Sequence, residues 1–289
     1  MAGRPVTATP SVNDMARRRT QRVLVRRVTA AGSTRRPDTL IVEEPMTIQL
    51  DGTVVSTTMR TPGHDFELAV GFCFTEGLLA GLPVTGVRYC APLEVRQGGR
   101  GSAMESEFNV VTVDTGGRSP VPTARLVTTS SSCGWCGSAQ LDEMLARLSP
   151  LPAPAAPIPL DTLAAMPARV LDGQGLFAST GAVHAAAAFD GAGDVLVSRE
   201  DVGRHNAVDK VVGALVLDGG VPSLDPSLAP LGLFVSGRAS IEMVHKAWAA
   251  GFSALVAVSA PTSLAVDAAR RAGMTLVGFV RDDGFNVYS

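Results

Sequence analysis

The chain has 289 residues, of which 46% are hydrophobic and 18% are charged, and its formal net charge is -2. This length allows one large domain or two modest ones with a real core, and the charge excludes a protein whose whole surface binds polyanions. Four cysteines in 289 residues exclude a disulfide framework. Because no apolar run is long enough to span a bilayer and no secretory signal is present, we expect a soluble, cytoplasmic protein.

Residues 1–36 are strongly basic, with nine arginines against a single acid, Asp14. Such a segment can bind nucleic acid, but this one has no aromatic residues that would stack on bases. Solvated basic tails are more often disordered. We therefore predict that residues 1–36 form a disordered tail, and we expect no nucleic-acid partner.

Residues 37–148 are predicted to form a β-rich α+β domain. Two strands, at 40–50 and 53–60, flank Asp51-Gly52, which is a strong hairpin signal. A helical pattern runs from Asp65, a suitable N-cap, to residue 80. Further elements are predicted as strands at 87–95, 108–113 and 126–129 and a short helix at 138–148. Five prolines in residues 149–160 indicate a linker or domain boundary.

Residues 161–289 are predicted to form an α/β domain. A hairpin around Asp190-Gly191 joins strands at 183–189 and 195–198, and a helix follows from 206 to 217. After it, strands and helices alternate at 231–235, 239–249, 254–259, 263–272 and 274–280. These strands are nearly continuous apolar runs, which is typical of parallel strands covered on both faces.

Polar residues cluster after three of these strands, where open α/β sheets bind their ligands. The first cluster contains Ser236, Gly237 and Arg238, the second runs from 259 to 263, and the third from 281 to 286. Small residues and helix N-termini favour the approach of a phosphate, and Arg238 and Arg281 can hold it through two hydrogen bonds each. The pattern therefore indicates a nucleotide-type site, although N-caps and loop arginines would give the same pattern.

A second dense group of titratable residues lies at a strand-to-helix junction, between residues 198 and 210. Its candidates for orienting a ligand or handling protons are Glu200, Asp201, Arg204 and His205. A surface loop with salt bridges would explain the same residues. His184 lies in an apolar stretch and is interpreted as a core histidine.

The segment Cys133-Gly134-Trp135-Cys136 follows a run of small polar residues and indicates an exposed thiol loop. Paired thiols at this spacing lower one another's pKa, and the thiolate can accept sulfur as a persulfide and pass it on. Spacing alone does not tell which of the two cysteines would carry the sulfur.

Three other kinds of site compete for this loop. A structural zinc site needs two more ligands, and Cys73 and Cys90 have no CxxC partner. A thioredoxin-type site would place tryptophan before the first cysteine, whereas Trp135 is inside the pair. A zinc deaminase needs H-x-E and then P-C-x-x-C, and neither pattern is present. Zinc binding stays open as an alternative.

From about residue 40 to the C-terminus the chain resembles the FdhD family, the sulfurtransferases required for formate dehydrogenase activity. Several motifs carry this resemblance, and together they are highly specific. They are Arg60 to Asp65 with Glu67 to Ala69, Phe74 to Gly77, Ser132-Cys133-Gly134-x-Cys136-Gly137, Thr180-Gly181-x-x-His184, Arg199 to Lys210, Ser236 to Arg238, Ser259 to Thr262, and Asn286 to Tyr288.

The resemblance implies an α/β fold: a cytidine-deaminase-like three-layer domain without the deaminase zinc, with a smaller β-rich N-terminal domain. It implies that Cys133 carries a persulfide received from a cysteine desulfurase, with Cys136 as its helper. The sulfur would go to the Mo-bis(molybdopterin guanine dinucleotide) cofactor, as bound substrate, before that cofactor enters formate dehydrogenase. A homodimer is also implied, with no tightly bound metal of its own. One departure is Asp283-Gly284-Phe285, where many relatives would have an arginine.

The function we expect is therefore that of a sulfurtransferase whose thiol loop reaches a nucleotide site at the strand ends. A non-catalytic chaperone for the molybdenum cofactor is the alternative. The predicted cofactor-binding residues are Phe279, Val280, Arg281, Asp282, Asp283, Gly284, Ser236, Gly237, Arg238, Ser259 and Thr262.

Overall fold

The structure is a computed structural model that describes residues 18–90, 109–120, 146, 148–154, 156–225, 228, 230–281 and 284–289. Several predicted elements lie outside these residues: the strand at 126–129, nearly all of the helix at 138–148, and the loop with Cys133 and Cys136. No helix in the described part is both long and apolar enough to cross a membrane.

The chain enters the described part through a long two-stranded hairpin, β1 (Thr20–Thr29) and β2 (Gly32–Ile41). Its strands pair antiparallel from Thr20 opposite Ile41 to Thr29 opposite Gly32, and most of its side chains are exposed. The prediction that residues 1–36 are disordered is therefore wrong for residues 20–36. Valines at every second or third position of β1 favour a strand, and Gly32, directly after the turn at residues 30–31, has a positive φ that suits the start of a hairpin's second strand. The arginine content alone did not reveal this pattern.

A four-stranded sheet follows, in the order β4-β3-β6-β5. Its strands are β3 (Glu44–Leu50), β4 (Thr53–Arg60), β5 (Gly86–Tyr89) and β6 (Val110–Asp114). The predicted hairpin at Asp51-Gly52 is confirmed, and both residues have the positive φ that a tight hairpin turn needs. The single strand predicted at 40–50 is instead divided between β2 and β3.

Helix α1 (Asp65–Thr75) packs its apolar side chains against this sheet. It ends five residues earlier than predicted, because Gly77 adopts a left-handed conformation just after the C-cap Glu76. Its N-cap is His64, not Asp65. The carboxylate of Asp65 is buried and accepts two hydrogen bonds from the buried guanidinium of Arg60, at 3.0 and 2.9 Å.

The proline-rich stretch lies between the two sheets in the chain and is hydrogen-bonded at two points to helices that cover the second sheet. The backbone N–H of Leu151 donates to the carbonyl of Ala272 at 2.8 Å, and the indole N–H of Trp248 donates to the carbonyl of Ser149 at 2.7 Å. Two helices follow it, α2 (Leu160–Leu171) and the one-turn-and-a-half α3 (Gly175–Thr180).

The second half of the chain forms a six-stranded sheet in the order β12-β11-β10-β9-β7-β8. Its strands are β7 (His184–Phe189), β8 (Val195–Asp201), β9 (Gly232–Val235), β10 (Ala254–Ala257), β11 (Thr275–Arg281) and β12 (Gly284–Val287). Strands β9, β10 and β11 are parallel, as predicted. Strand β7 runs antiparallel to β9 and to β8, so β8 points the same way as the parallel strands.

Helices cover both faces of this sheet, which makes three layers. One face packs against α4 (Arg204–Asp218), α5 (Ile241–Ala250) and α6 (Ser263–Ala272), and the other packs against α2. Side chains alternate between the faces: Leu233 and Val235 belong to the first core, and Phe234 to the second. The α/β fold class predicted from the sequence is confirmed.

The two sheets are joined where α1 crosses α4, and this crossing depends on two glycines. A Cβ atom on Gly71 would lie 1.8 Å from the carbonyl oxygen of Asp209, and one on Gly213 would lie 1.8 Å from that of Glu67. The helix backbones therefore touch, which brings the charged side chains beside the crossing within hydrogen-bonding distance of one another.

Candidate functional site

The carboxyl ends of four strands of the six-stranded sheet meet at one edge. Strands β8, β9, β10 and β11 end there, and the antiparallel β7 begins there with His184. The three polar clusters predicted from the sequence follow β9, β10 and β11, so the fold brings them together at this edge. This is the position at which open α/β sheets bind ligands.

The cluster after β9 is tied to β7 by its backbone and by one hydroxyl. The backbone N–H of Ser236 donates to the carbonyl of Ala185 at 2.9 Å, and the Ser236 hydroxyl oxygen accepts from the N–H of Ala185 at 2.9 Å. Gly237 lies beside His184, and Arg238 is exposed. In this cluster Arg238 has the side chain that is free to reach a ligand.

The cluster after β10 is joined by backbone hydrogen bonds to the polar clusters on both sides of it. The N–H of Ser259 donates to the carbonyl of Gly237, and the carbonyl of Ser259 accepts from the N–H of Phe279, each at 3.3 Å. Thr262 is the N-cap of α6, and its hydroxyl accepts from the N–H of Ala265 at 3.2 Å. For Thr262 the ordinary N-cap interpretation thus accounts for the side chain.

The cluster at the end of β11 contains an irregular backbone. Phe279 has a φ of 55° and is 40% exposed, and the pairing with β12 shifts register between Gly278 and Arg281. The side chain of Val280 is 1% exposed and belongs to the core, so this residue can reach a ligand through its backbone alone. Arg281 and Gly284 are exposed. Asp282 and Asp283 lie outside the described residues.

The titratable group between residues 198 and 210 divides into two parts in the structure. Glu200 and Asp201 are buried and bind the protein itself. The Glu200 carboxylate accepts from the N–H groups of Leu176 and Phe177 at the start of α3, at 2.9 and 2.8 Å. Asp201 lies 2.7 Å from the ammonium of Lys210, and both side chains are fully buried. Salt-bridge and capping roles therefore explain both acids.

Arg204 and His205, in contrast, open helix α4 at the strand edge, close to His184. We call His184, Arg204 and His205 the strand-edge cations. The pKa of His184 is lowered, first by burial and then by the charges of Arg204 and His205, while Asp201 acts in the opposite direction. His184 is half-buried and is the first residue of β7.

Sequence reasoning missed Glu242, which lies beside this group. Its carboxylate oxygen Oε2 is 3.9 Å from Nε2 of His205. This neighbour is the largest cause that lowers the pKa of Glu242 to about 2, with Ser240 contributing in the same direction. Glu242 lies in the first turn of α5, four residues after Arg238. Its position in the sequence follows no motif that would have identified it as a site residue.

A second charged group lies at the crossing of α1 with α4 and α5. We call Thr75, Glu76, Asp209 and Lys246 the interhelical ion network. The Lys246 ammonium donates to Thr75 at 2.9 Å, to Glu76 at 3.0 Å and to Asp209 at 2.9 Å, and all three donor hydrogens are used. Burial lowers the pKa of Lys246, but the carboxylates of Asp209 and Glu76 outweigh burial and raise it. Burial also raises the pKa of Asp209, which the positive charge of Lys246 opposes.

The predicted catalytic residues Cys133 and Cys136 lie outside the described residues. Among the described cysteines, Cys73 is completely buried in the core of the first sheet, as its position between two phenylalanines predicts. Burial strongly raises the pKa of its thiol, which keeps it protonated and unsuited to bind zinc. Within the described ranges, no group of three histidine, cysteine or acidic side chains is arranged to hold a metal ion.

Comparison with known proteins identifies relatives that match most of the chain. The family model described as the FdhD/NarQ family matches residues 41–289. A protein of Nocardia farcinica named "Sulfur carrier protein FdhD" is 47% identical over 95% of both chains. Another of that name, from Mycolicibacterium paratuberculosis, is 46% identical over 93% of this chain and 97% of its own length.

A solved structure is also similar to the chain. It is described as a formate dehydrogenase accessory protein from Desulfotalea psychrophila and is 24% identical, with a TM-score of 0.67 over 93% of this chain and 96% of the other. At this identity the likeness supports the fold alone, and it extends over both sheets.

Proposed function

The chain belongs to the FdhD/NarQ family, and from that membership we propose that it is a sulfur carrier that serves formate dehydrogenase. Relatives named as sulfur carriers cover almost its whole length, and the similar solved structure is described as a formate dehydrogenase accessory protein. In this proposal the chain acts in the cytoplasm as a homodimer, takes sulfur from a cysteine desulfurase and delivers it for formate dehydrogenase.

The sulfur travels as a persulfide on Cys133. The Cys133 thiolate attacks the terminal sulfur of the desulfurase persulfide, a new S–S bond forms on Cys133, and the desulfurase cysteine leaves as a thiolate. For release, the Cys136 thiolate attacks the inner sulfur of Cys133. The terminal sulfur then leaves with the bonding electron pair as sulfide, and a Cys133–Cys136 disulfide remains, which a dithiol reductant must reopen.

The acceptor of the sulfide is the molybdenum bis-guanine-dinucleotide cofactor, bound as a substrate at the strand edge. One observation carries this part of the proposal: the exposed Arg238 and Arg281 follow two strands whose carboxyl ends share an edge with small-residue loops. Guanidinium groups bind phosphate through paired hydrogen bonds, and loops of Ser236, Gly237 and Ser259 let phosphate approach the backbone.

Intact mass spectrometry tests the persulfide step. The full chain is incubated with a cysteine desulfurase and cysteine, and we expect a one-sulfur adduct that maps to Cys133. Cys133→Ala should abolish both the adduct and the activation of formate dehydrogenase, and should leave the binding of GDP unchanged. Cys136→Ser should keep the adduct but release it slowly.

Cys90→Ser is the matched control, because Cys90 is a partly exposed thiol whose sulfur lies 3.1 Å from the Thr112 hydroxyl, which can pair equally well with a serine. It should acquire the adduct like the wild type. If Cys133→Ala still activates formate dehydrogenase while GDP binds normally, the protein is a cofactor chaperone without sulfur transfer. One tightly held zinc ion per chain would instead favour a structural metal site at the thiol loop.

A further inference from the structure

We propose that the basic hairpin β1–β2, which we call the arm, binds an extended acidic segment of another protein as a third strand along β1. The carboxylates of this segment lie opposite the arginines of the arm, and its apolar side chains lie opposite the exposed aliphatic ones. This binding goes beyond the proposed sulfur transfer and does not depend on it. The arm ends at residue 41, where the match to the family model begins.

The arm carries an excess of positive charge that the chain does not compensate. It contains five arginines and one acid, Asp38. The backbone N–H of Thr39 donates to the Asp38 carboxylate at 3.0 Å, and Asp38 lies opposite Val23, on the other face of the arm from Arg26. Within the described ranges, no acid forms an ion pair with an arginine of the arm.

One face of the arm alternates cations with exposed aliphatic side chains. Arg26 lies directly opposite Arg35 in the ladder, so the two like charges share a face, and Arg22 lies on the same face four residues before Arg26. Leu24 and Val28, which follow the two β1 arginines of this face at every second residue, are each 67% exposed. We call these five side chains the basic face. Like charges directly opposite each other destabilise a strand pair, so an anion beside them relieves an unfavourable contact.

The outer half of the arm is not supported by the rest of the described chain. Every side chain from residue 26 to residue 38 is exposed. A two-stranded hairpin by itself is marginally stable at best in water, and it needs a further strand or a packed helix to become stable. A third strand would therefore stabilise the arm.

The outer edge of β1 is suited to accept that strand. Among the described residues the arm is a sheet of two strands, so this edge presents backbone groups without a ladder partner. The ten residues of β1 include no proline, whereas Pro37 removes a donor from β2. Strand addition uses main-chain hydrogen bonds for affinity and alternate side chains for specificity. The complementary strand therefore carries acid, apolar, acid and apolar residues at every second position.

Other occupants fit the arm less well. Lipid headgroups and nucleic acids cannot continue a strand ladder, and the arm has no aromatic residue that would stack on bases or lie at a membrane surface. A second copy of this chain that paired its own β1 with this one would place arginine beside arginine. An acidic polypeptide satisfies both the backbone edge and the charges.

Fluorescence anisotropy with the full chain tests this assignment. The probe is a labelled peptide of Glu-Thr-Val-Thr repeats, as long as the ten residues of β1. Its control is a peptide of Glu-Val-Thr-Thr repeats, in which an extended chain places the acids and the valines on opposite faces. We expect the wild type to bind the first peptide about fivefold more tightly than the second, because cross-strand pairs form on one face only.

A matched pair of double variants identifies the face that binds. Arg26→Gln/Arg35→Gln should weaken binding of the first peptide about tenfold, as the loss of two ion pairs does. Arg27→Gln/Arg36→Gln removes two exposed arginines from the other face of the same arm, and it should change binding by less than about twofold. Because both variants lose the same charge, a difference between them is not an effect of net charge.

Amide hydrogen exchange distinguishes a third strand from a charge contact alone. Exchange in residues 20–29 should slow when the peptide binds, because the free edge becomes hydrogen-bonded. Circular dichroism melting shows whether both double variants fold. If Arg26→Gln/Arg35→Gln does not fold, Leu24→Ser on the same face decides the question, with an expected loss of about threefold in affinity.

Strand addition is overturned if the two double variants bind the peptide equally, if the wild type does not distinguish the two peptides, or if exchange in β1 is unchanged by the bound peptide. Phosphatidylserine vesicles and a DNA duplex are tested in the same assay, and binding of either without binding of the peptide would also overturn it. A lower sedimentation coefficient of Arg26→Gln/Arg35→Gln, with no peptide bound by the wild type, would instead assign the basic face to a contact between copies.

Discussion

The interhelical ion network and the strand-edge cations are both rich in charge, and they are arranged in opposite ways. In the network, one ammonium meets two carboxylates and a hydroxyl, and its side chain is 5% exposed. At the strand edge, Arg204 and His205 are the first two residues of α4, and His205 lies 3.9 Å from Glu242. The network is completed by the chain itself, whereas at the strand edge the Nε atom of Arg204 has no hydrogen-bond partner among the described residues.

The same difference separates neighbouring residues within one sequence motif. Asp201 and Lys210 belong to the motif that also contains Arg204 and His205, yet the first two are fully buried and paired with each other. Stability should therefore depend strongly on the buried, paired charges and only weakly on the charges at the strand edge, and the predictions below test that contrast.

The largest effect is expected from Lys246→Met, which leaves Asp209 and Glu76 without their cation. Breaking one side of a buried ion pair costs about 3–5 kcal/mol, because the carboxylates stay buried and uncompensated. Urea denaturation should show this loss in the free energy of unfolding. Arg270→Met is the control, since the Arg270–Asp267 pair is mostly exposed and its loss should cost less than about 0.5 kcal/mol.

The next effect is a dependence on pH at His245, beside the network. Burial is the main cause that lowers its pKa to about 4. The unfolded chain, with a pKa near 6.5, therefore takes up the proton first, and stability falls as the pH drops from about 6.5 to about 4, by about 3 kcal/mol in total. Denaturation curves across this range should show the loss, and His245→Gln should flatten it.

Glu67 provides the contrasting pH window. Burial acts to raise the pKa of Glu67, but Arg199 and His64 lower it to about 2. The guanidinium of Arg199 donates two hydrogen bonds to the Glu67 carboxylate, at 2.5 and 2.7 Å. Its stabilising contribution is therefore complete above about pH 4.5 and is lost between about 4.5 and 2. If His245→Gln changes the curve only below pH 4, the assignment of the upper window to His245 is wrong.

A smaller loss is expected from Gly213→Ala at the helix crossing. The new Cβ would lie 1.8 Å from the backbone oxygen of Glu67, so α1 and α4 must move apart. Overpacking of this kind costs about 1–3 kcal/mol. Gly191→Ala is the control, because nothing lies within 4 Å of its added Cβ and no positive φ is involved. Equal thermal midpoints for the two variants would show that the crossing tolerates separation.

The smallest effect on stability is expected from Arg204→Gln. Removing a cation from a helix N-terminus should leave the free energy of unfolding unchanged or raise it by up to about 0.5 kcal/mol. Urea denaturation of the variant and of the wild type measures this difference in the free energy of unfolding. A large loss of stability in the absence of ligand would place Arg204 with the network residues.

Local patterns in the sequence correctly predicted the position of many helices and strands. Strand and helix periods, Asp-Gly turns and glycine stops located the hairpin at Asp51-Gly52, the alternating parallel strands and the helix Ser263–Ala272. The basic hairpin β1–β2 was missed, because the arginine content outweighed a strand pattern that gains its stability from cross-strand pairing. The helix predicted at 65–80 was too long, because the left-handed Gly77 ends it five residues earlier.

The sequence predicted the location of the candidate site, but not the role of each residue in it. The clusters around Arg238, Ser259 and Arg281 do share one edge, since the carboxyl ends of parallel strands meet. The sequence could not separate Asp201, which is buried against Lys210, from His205 four residues later, nor could it place His184 and Glu242 beside them. Each of these depends on residues far apart in the chain.

By itself, the sequence determined the α/β class, the strand ends that carry polar clusters, and a family resemblance that comparison with relatives confirms. Only the tertiary structure decided which charged side chains are buried and paired within the chain and which are exposed. The physical reason is that helix and strand periods act over a few residues, whereas the pairing of a charge depends on which chain segments the packed core brings within about 3 Å of it. Two acids next to each other in the sequence, Glu200 and Asp201, thus became structural, and Arg204 did not.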